Sequence, residues 1–357
     1  MHIQISGGLD LNNKIPGVPL DIKIPGVLLD ILPGKNKKIL SIGSRTLENI
    51  LGQLDQLTNN FDTLVLVNGD LWRYFDATEA IFNHPNLVNK WVFLQTLGYK
   101  NTKFNNRCWE ISYPLIYCLM IKSTDTFKVK SRGLANGFSC LNNSNNVHRT
   151  LLGYYLHKNG LLDNMIFSQN IVGDGYAITR VSQDATILNL DNFEEYKSLL
   201  PIRHPAEIIP MGQRFRGPSN TFGIPTHPAY TKAYCNIVTE SECEEYPYER
   251  NINLPLITEK SYKPLMAGQI PLMLAARGHI AYLKELGFEM MENLLPVGYD
   301  DMNVLQKIDV IVTTVSKGKD FIEDFYFSHL REIQHNYELI KSNKVEDLIL
   351  QNIKDAL

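Results

Sequence analysis

The sequence predicts an α/β chain of two domains, each built on a largely parallel sheet. Three observations carry this expectation. At 357 residues the chain exceeds one ordinary hydrophobic core. Between Leu256 and Asp301 a helical pattern, a short apolar run and a second helical pattern follow one another, which is the order of a parallel sheet with crossover helices. Upstream, short apolar runs at residues 37–42, 61–67, 91–94 and 115–121 have the length and composition of buried strands.

Composition narrows the class. Hydrophobic content of 44% with 20% charged residues is that of a soluble globular protein. A net charge of -3 argues against an obligate nucleic-acid partner. No apolar run approaches the roughly 18 residues of a membrane span, and Met1 to Asn13 lacks a signal-peptide pattern. The five cysteines (Cys108, Cys118, Cys140, Cys235 and Cys243) show no CxxC spacing and read as free thiols of a reducing, cytoplasmic compartment.

In chain order, residues 14–31 hold two copies of a Lys-Ile-Pro-Gly-Val unit, too few for a solenoid; Pro-Gly turns and alternating aliphatics suit an edge meander or a duplication without function. Residues 37–42 read as a strand, 46–57 as a helix, and 61–67 as a strand ending in the polar trio Asn68-Gly69-Asp70. The basic stretch 127–137 reads as a linker, which gives a first domain over 1–125 and a second over 126–315.

In the second domain, residues 137–142 read as a strand ending in Asn142. A turn-forming Asn143–Asn146 cluster follows, then a helix opening at Val147-His148-Arg149 and closing at Asn159-Gly160. Free N–H groups and the helix dipole collect anions at such a start, and arginine adds bidentate pairing to phosphate. Residues 164–174 read as a segment leading away from this helix, 191–200 as an exposed helix, and 201–230, rich in Pro and Gly, as an ordered loop or a surface linker. Residues 233–238 read as a strand with an acidic exit at Glu240, Glu242, Glu244 and Glu245. The run 304–315 reads as a strand, and 321–357 as one or two amphipathic helices.

The stretch 256–301 organises the rest. Thr258-Glu259-Lys260 opens its first helix, Lys263-Pro264 follow within a turn, and Gly268 stops it. Ile270–Leu274 is an apolar strand, and a second helix over 280–286 stops at Gly287. In open α/β sheets a charged trio at that junction lies where ligands bind. Glu259 there fits a ligand for hydroxyls, or equally an acid stabilising its helix dipole. No GxSxG, HExxH or paired Cys/His spacing marks a hydrolase.

These residues resemble sugar-nucleotide glycosyltransferases of the GT-B fold, nearest to the α-1,3-fucosyltransferases and related bacterial and viral putative glycosyltransferases. The resemblance rests on Thr258-Glu259-Lys260, the upstream Ile237-Val238-Thr239-Glu240-Ser241, the Lys263-Pro264 pair, the apolar strand, Leu286-Gly287-Phe288 and Tyr299-Asp300-Asp301. It covers roughly the second half of the chain. Two positions depart from it: Leu256 stands where those enzymes carry Tyr, and the Asn after Glu240 is absent.

The resemblance implies two Rossmann-like domains facing a cleft, with a tail over 316–357 packing back on the first. It implies transfer of a hexosyl or deoxyhexosyl group from a nucleotide-diphosphate sugar to a glycan or other hydroxyl acceptor, expected to be inverting. Asn142, His148, Arg149, Glu240, Thr258, Glu259, Lys260 and Lys263 become donor-binding candidates, with Arg149 and Lys260 facing the cleft as a cationic pair on the diphosphate. The chain contains no Asp-x-Asp, so no metal site and no cofactor are expected and cations stabilise the leaving group. The general base comes from the first domain: Asp70 after its strand, with Glu110 and Asp76 as alternatives. Asn-Gly-Asp is equally a turn. A noncatalytic nucleotide- or sugar-binding module remains the alternative of a different class.

Overall fold

The structure is a computed structural model and describes residues 5–6, 39–42, 63–67, 83–87, 91–96, 102–105, 108–112, 134–142, 146–170, 176–186, 188–203, 227–240, 243 and 257–356. Outside them lie the tandem repeat, the expected helix at 46–57, the apolar run 115–121, residues 127–133 of the basic linker (whose last two residues, 136–137, belong to a strand), the Asn143–Asn145 turn, most of the Pro/Gly-rich loop, and Asp70 and Asp76. The fold is α/β. The chain divides into two compact units, residues 1–115 with 346–357, and residues 116–345.

The first unit contains a six-stranded sheet of β1 (Ile5–Ser6), β2 (Ile39–Ile42), β3 (Thr63–Val67), β4 (Trp91–Thr96), β5 (Thr102–Asn105) and β6 (Cys108–Ser112). Its order is β1-β2-β3-β4-β6-β5, parallel except where β5 runs against β6 at the edge. Glu110 sits on β6 opposite Leu94 of β4.

In the second unit, β7 (Asn136–Asn142), β8 (Met165–Gln169), β9 (Ala233–Thr239) and β10 (Ile270–Leu274) form a wholly parallel sheet of order β10-β9-β7-β8. β8, β9 and β10 are buried along their whole length, as strands covered on both faces must be. Pro271 has no N–H to donate, and it is tolerated because β10 is an edge strand. From β7 the chain steps outward to β8, then crosses back beyond β7 to β9. The winding direction therefore reverses between β7 and β9.

Among the described residues the α-helices are α1 (Val147–Lys158), α2 (Tyr176–Asp184), α3 (Phe193–Ser198), α4 (Pro228–Thr231), α5 (Glu259–Met266), α6 (His279–Glu285), α7 (Val304–Ser316), α8 (Gly318–Ser328), α9 (Leu330–Lys341) and α10 (Lys344–Ala356). Among the described residues no helix is long and apolar enough to cross a membrane. α1 is buried on most sides, with Val147, Leu151, Leu152, Tyr154 and Leu156 in the core of this unit; each such side chain taken from water contributes about 1.5–3 kcal/mol. Gly153 in its middle lets the Tyr196 hydroxyl, bonded to Gln169 Oε1 at 2.7 Å, lie against the helix; a Cβ there would collide with the Tyr196 hydroxyl oxygen.

Three elements differ from the sequence expectation. Residues 304–315 read as a strand because Ile, Val and Thr crowd the run, but they form α7. Its start is fixed by a capping box, Asn303 accepting from the Gln306 N–H and Gln306 from the Asn303 N–H. The buried positions Val304, Ile308, Ile311, Val312 and Val315 recur at helical spacing. The segment expected to lead away from α1 holds the buried strand β8, whose Met165-Ile166-Phe167 run follows a single 3-10 turn. The tail forms three helices, of which α8 and α9 pack within the second unit: Ile322 and Tyr326 join its core, and Asn336 bonds the backbone N–H and carbonyl of Glu289 at 2.8 and 2.7 Å.

Candidate functional site at the strand reversal

Where winding reverses, adjacent crossovers leave to opposite sides and open a crevice beyond the carboxyl ends of the strands. In this sheet those ends are Asn142 on β7 and Thr239-Glu240 on β9. The β7–β9 backbone ladder pairs Asn136 with Ala233 and Ser139 with Asn236. Three residues further on, in the same register, a side-chain bond takes over: Thr239 Oγ1 donates to Asn142 Oδ1 at 2.6 Å.

The first turn of α1 fills the space beside it. Arg149 Nη2 donates to the carbonyls of Thr239 at 2.9 Å and Glu240 at 3.0 Å, and His148 Nε2 lies 2.9 Å from the Glu240 carbonyl. Arg149 is 2% exposed and His148 1%. Burial, then the neighbouring guanidinium, push the His148 imidazole from its ordinary 6.5 down to about 3. It is therefore neutral, with Nε2 as the donor.

Glu240, which from the sequence reads both as part of an acidic exit and as a donor-binding candidate, is wholly buried. Its N–H extends the ladder to Leu274 of β10. Its carboxylate turns to the start of α5: Oε1 accepts from the Thr258 N–H at 3.0 Å and Ser261 Oγ at 2.6 Å, and Oε2 from Thr258 Oγ1 at 2.6 Å. Burial alone would raise its pKa. The Lys260 ammonium, His279 and the two hydroxyls outweigh that and hold it below the ordinary 4.5.

Thr258 is the N-cap of α5, accepting from the Lys260 N–H at 3.3 Å, and Lys260 Nζ reaches the same oxygen at 3.2 Å. Lys260 is half-buried. Lys263, also half-buried, lies one turn on, and Glu259 is the first residue of the helix.

The structure thus gathers Asn142, His148, Arg149, Glu240, Thr258 and Lys260, from three separated segments, around one strand reversal. It differs from the sequence expectation over Arg149, whose guanidinium lies buried on main-chain carbonyls of β9 instead of facing a cleft. The arrangement sets the starts of two helices and one half-buried ammonium beside a fixed carboxylate, and helix starts with an ammonium are chemistry suited to an anion.

Sequence reasoning missed four supports. Ser261 and His279 bond each other at 2.9 Å. Asp300 caps the first turn of α6 through the N–H groups of Ile280 and Ala281, at 3.2 and 3.0 Å. Lys307, 2% exposed, donates to the Ala275 carbonyl at 3.0 Å. The signal for Ser261 was its place on the first turn after an N-cap; lone His279 gave none. Among the described residues no group of three or more His, Cys, Asp or Glu side chains is placed to hold a metal ion. The chain matches no protein-family model, no curated protein and no solved structure.

Proposed function

We propose that the chain is a glycosyltransferase that binds a nucleotide-diphosphate sugar at the β7–β9 reversal and passes the sugar to an acceptor hydroxyl. The observation that carries this is the meeting of the α1 and α5 starts at Glu240, with Lys260 partly exposed beside it. Anions bind at such starts in parallel sheets, and the resemblance of residues 239–301 to sugar-nucleotide transferases supplies the substrate class.

In this reading Lys260 meets the diphosphate and strengthens its contact as the leaving group gains charge. Arg149 and Asn142 hold the end of β9. Glu259 and Lys263 are candidates for the sugar and ribose hydroxyls. The two-domain GT-B arrangement, the first unit as acceptor side, inversion, metal independence and Asp70, Glu110 or Asp76 as general base belong to the same proposal.

The test is release of free nucleotide from a panel of nucleotide sugars, with and without EDTA. Turnover with one donor, surviving chelation, is the expected result. Lys260→Ala then lowers kcat/KM by about two to three decades, as loss of a contact worth about 2–4 kcal/mol in the transition state would. Donor binding without any release would assign the chain to the noncatalytic module class, and no binding of any donor would overturn both.

A further inference from the structure

The proton wiring around Glu240 can be worked out from acceptor capacity alone. An ionised carboxylate only accepts. The single hydroxyl proton of Ser261 therefore goes to Glu240 Oε1, at 2.6 Å. Its oxygen must then accept at its other short contact, 2.9 Å from His279 Nε2. His279 consequently carries its proton on Nε2. The same reasoning applies on the other side. The Thr258 hydroxyl donates to Oε2, so the Lys260 ammonium donates to Thr258 Oγ1. Every proton in the chain Lys260–Thr258–Glu240–Ser261–His279 points towards the carboxylate.

The surroundings of His279 agree with this assignment. It is 1% exposed. Burial holds its pKa below the ordinary 6.5 against the pull of Glu240 and Asp300, with Lys307 adding to the depression. Its Nδ1 is buried and has no hydrogen-bond partner among the described residues, as suits the bare nitrogen of the neutral Nε2–H tautomer.

We infer that His279 is a positioning residue for the anion site: through Ser261 it locks the Glu240 carboxylate, and through Thr258 that carboxylate holds the Lys260 ammonium where a diphosphate would meet it. A carboxylate with three donors, two of them at 2.6 Å, cannot turn without breaking charge-assisted bonds. Sites that bind well are those whose contacting groups are fixed in this way by the layer behind them. The functional consequence rests on the donor-site reading given above; the wiring is a property of the ligand-free protein and is tested separately.

Two measurements test it. Nitrogen-15 NMR of the free protein at neutral pH reads the tautomer directly. His279 is expected as neutral Nε2–H, and its signals are expected to move in Ser261→Ala. A proton on Nδ1, or signals unmoved by Ser261→Ala, would overturn the wiring whatever the protein binds. Calorimetric titration with inorganic pyrophosphate reads the consequence. His279→Leu is expected to weaken binding about tenfold, the upper range for one net hydrogen bond, whereas His279→Gln, which keeps an N–H donor at the Nε2 position, stays within about threefold. Because the two residues act in series, His279→Leu adds nothing further in a Ser261→Ala background. Wild-type affinity in a folded His279→Leu, equal losses in the Leu and Gln variants, or additive losses in the double variant would each overturn the positioning role. Absence of pyrophosphate binding by the wild type would instead sink the donor-site reading, leaving the NMR result to decide the wiring.

Discussion

Two of the buried polar clusters along the second sheet are made of different chemistry. In mid-sheet, Asn236 of β9 donates to Ser139 Oγ of β7 at 3.0 Å and lies 3.5 Å from Gln269 Oε1. Gln269 Nε2 donates to the carbonyls of Ala229 and Ala233, both at 2.8 Å, and Ser139 donates to Ala229 at 2.8 Å. All three side chains are neutral and at most 5% exposed. At the carboxyl ends, a few residues along the same strands, the cluster is Glu240, Arg149 and Lys260 with two histidines. Neutral groups suffice to tie α4 and the strands together, because a satisfied amide or hydroxyl is inexpensive to bury. A buried carboxylate and guanidinium carry a desolvation penalty of several kcal/mol per ion. The difference is that the strand reversal, unlike mid-sheet, carries buried charge, part of which (Arg149) ties down the end of β9.

The comparison can be broken first at Arg149. Removing one member of a buried charged network costs about 3–5 kcal/mol, so Arg149→Ala should lose that much in urea or thermal denaturation. A melting transition within a degree or two of wild type would return Arg149 to the cleft and to a direct part in binding.

A smaller effect is expected from the neutral cluster. Asn236→Ala leaves Ser139 and Gln269 short of a donor and should cost about 1–3 kcal/mol, with nucleotide binding unchanged in the folded fraction. Loss of binding there would mean that the two clusters are one functional unit.

The smallest and most diagnostic difference is in pH. The unfolded chain protonates His148 near 6.5, whereas the folded site keeps it neutral down to about 3. Its contribution is therefore present above pH 6.5 and is lost as pH falls through that window, by up to about 1.4 kcal/mol per pH unit. His279, also depressed, acts in the same direction, and Glu240 adds its own loss only below about 4.5. Denaturation followed from pH 7.5 to 5 should show this slope in the wild type and in Asn236→Ala, and a flatter one in His148→Gln. An equal slope in His148→Gln would place the titrating group elsewhere.

How far the sequence revealed this depends on what each signal encodes. Thr258, Gly268 and Gly287 mark helix ends by local chemistry, an N-cap hydroxyl and two glycines of positive φ, so the segment from α5 to α6 was legible residue by residue. The helix start at Val147–Arg149 was legible too, but not the use made of Arg149. Whether a guanidinium at a helix start faces solvent or the carbonyls of β9 is decided by strand order, and strand order required β8, which hid behind a 3-10 turn. Glu240 was misleading for a similar reason. It sits in a run of acids that looks solvated, and only the long-range bonds to Thr258 and Ser261 make it a buried anchor. β-branched residues in α7 favoured a strand until the capping box at Asn303 and Gln306 is weighed against them.

The central claim is that the charged reversal of β7 and β9, acting through Lys260, receives a nucleoside diphosphate. The most direct measurement is a thermal-shift series with GDP, UDP, CDP and dTDP on the wild type and on Lys260→Ala. A ligand bound only by the native state at 100 times its Kd adds about 2.7 kcal/mol. The account predicts that one of the four raises the melting temperature of the wild type by several degrees, and that Lys260→Ala, measured against its own ligand-free melting temperature, loses that shift. A wild type indifferent to all four, or a Lys260→Ala variant that keeps the full shift, would contradict it.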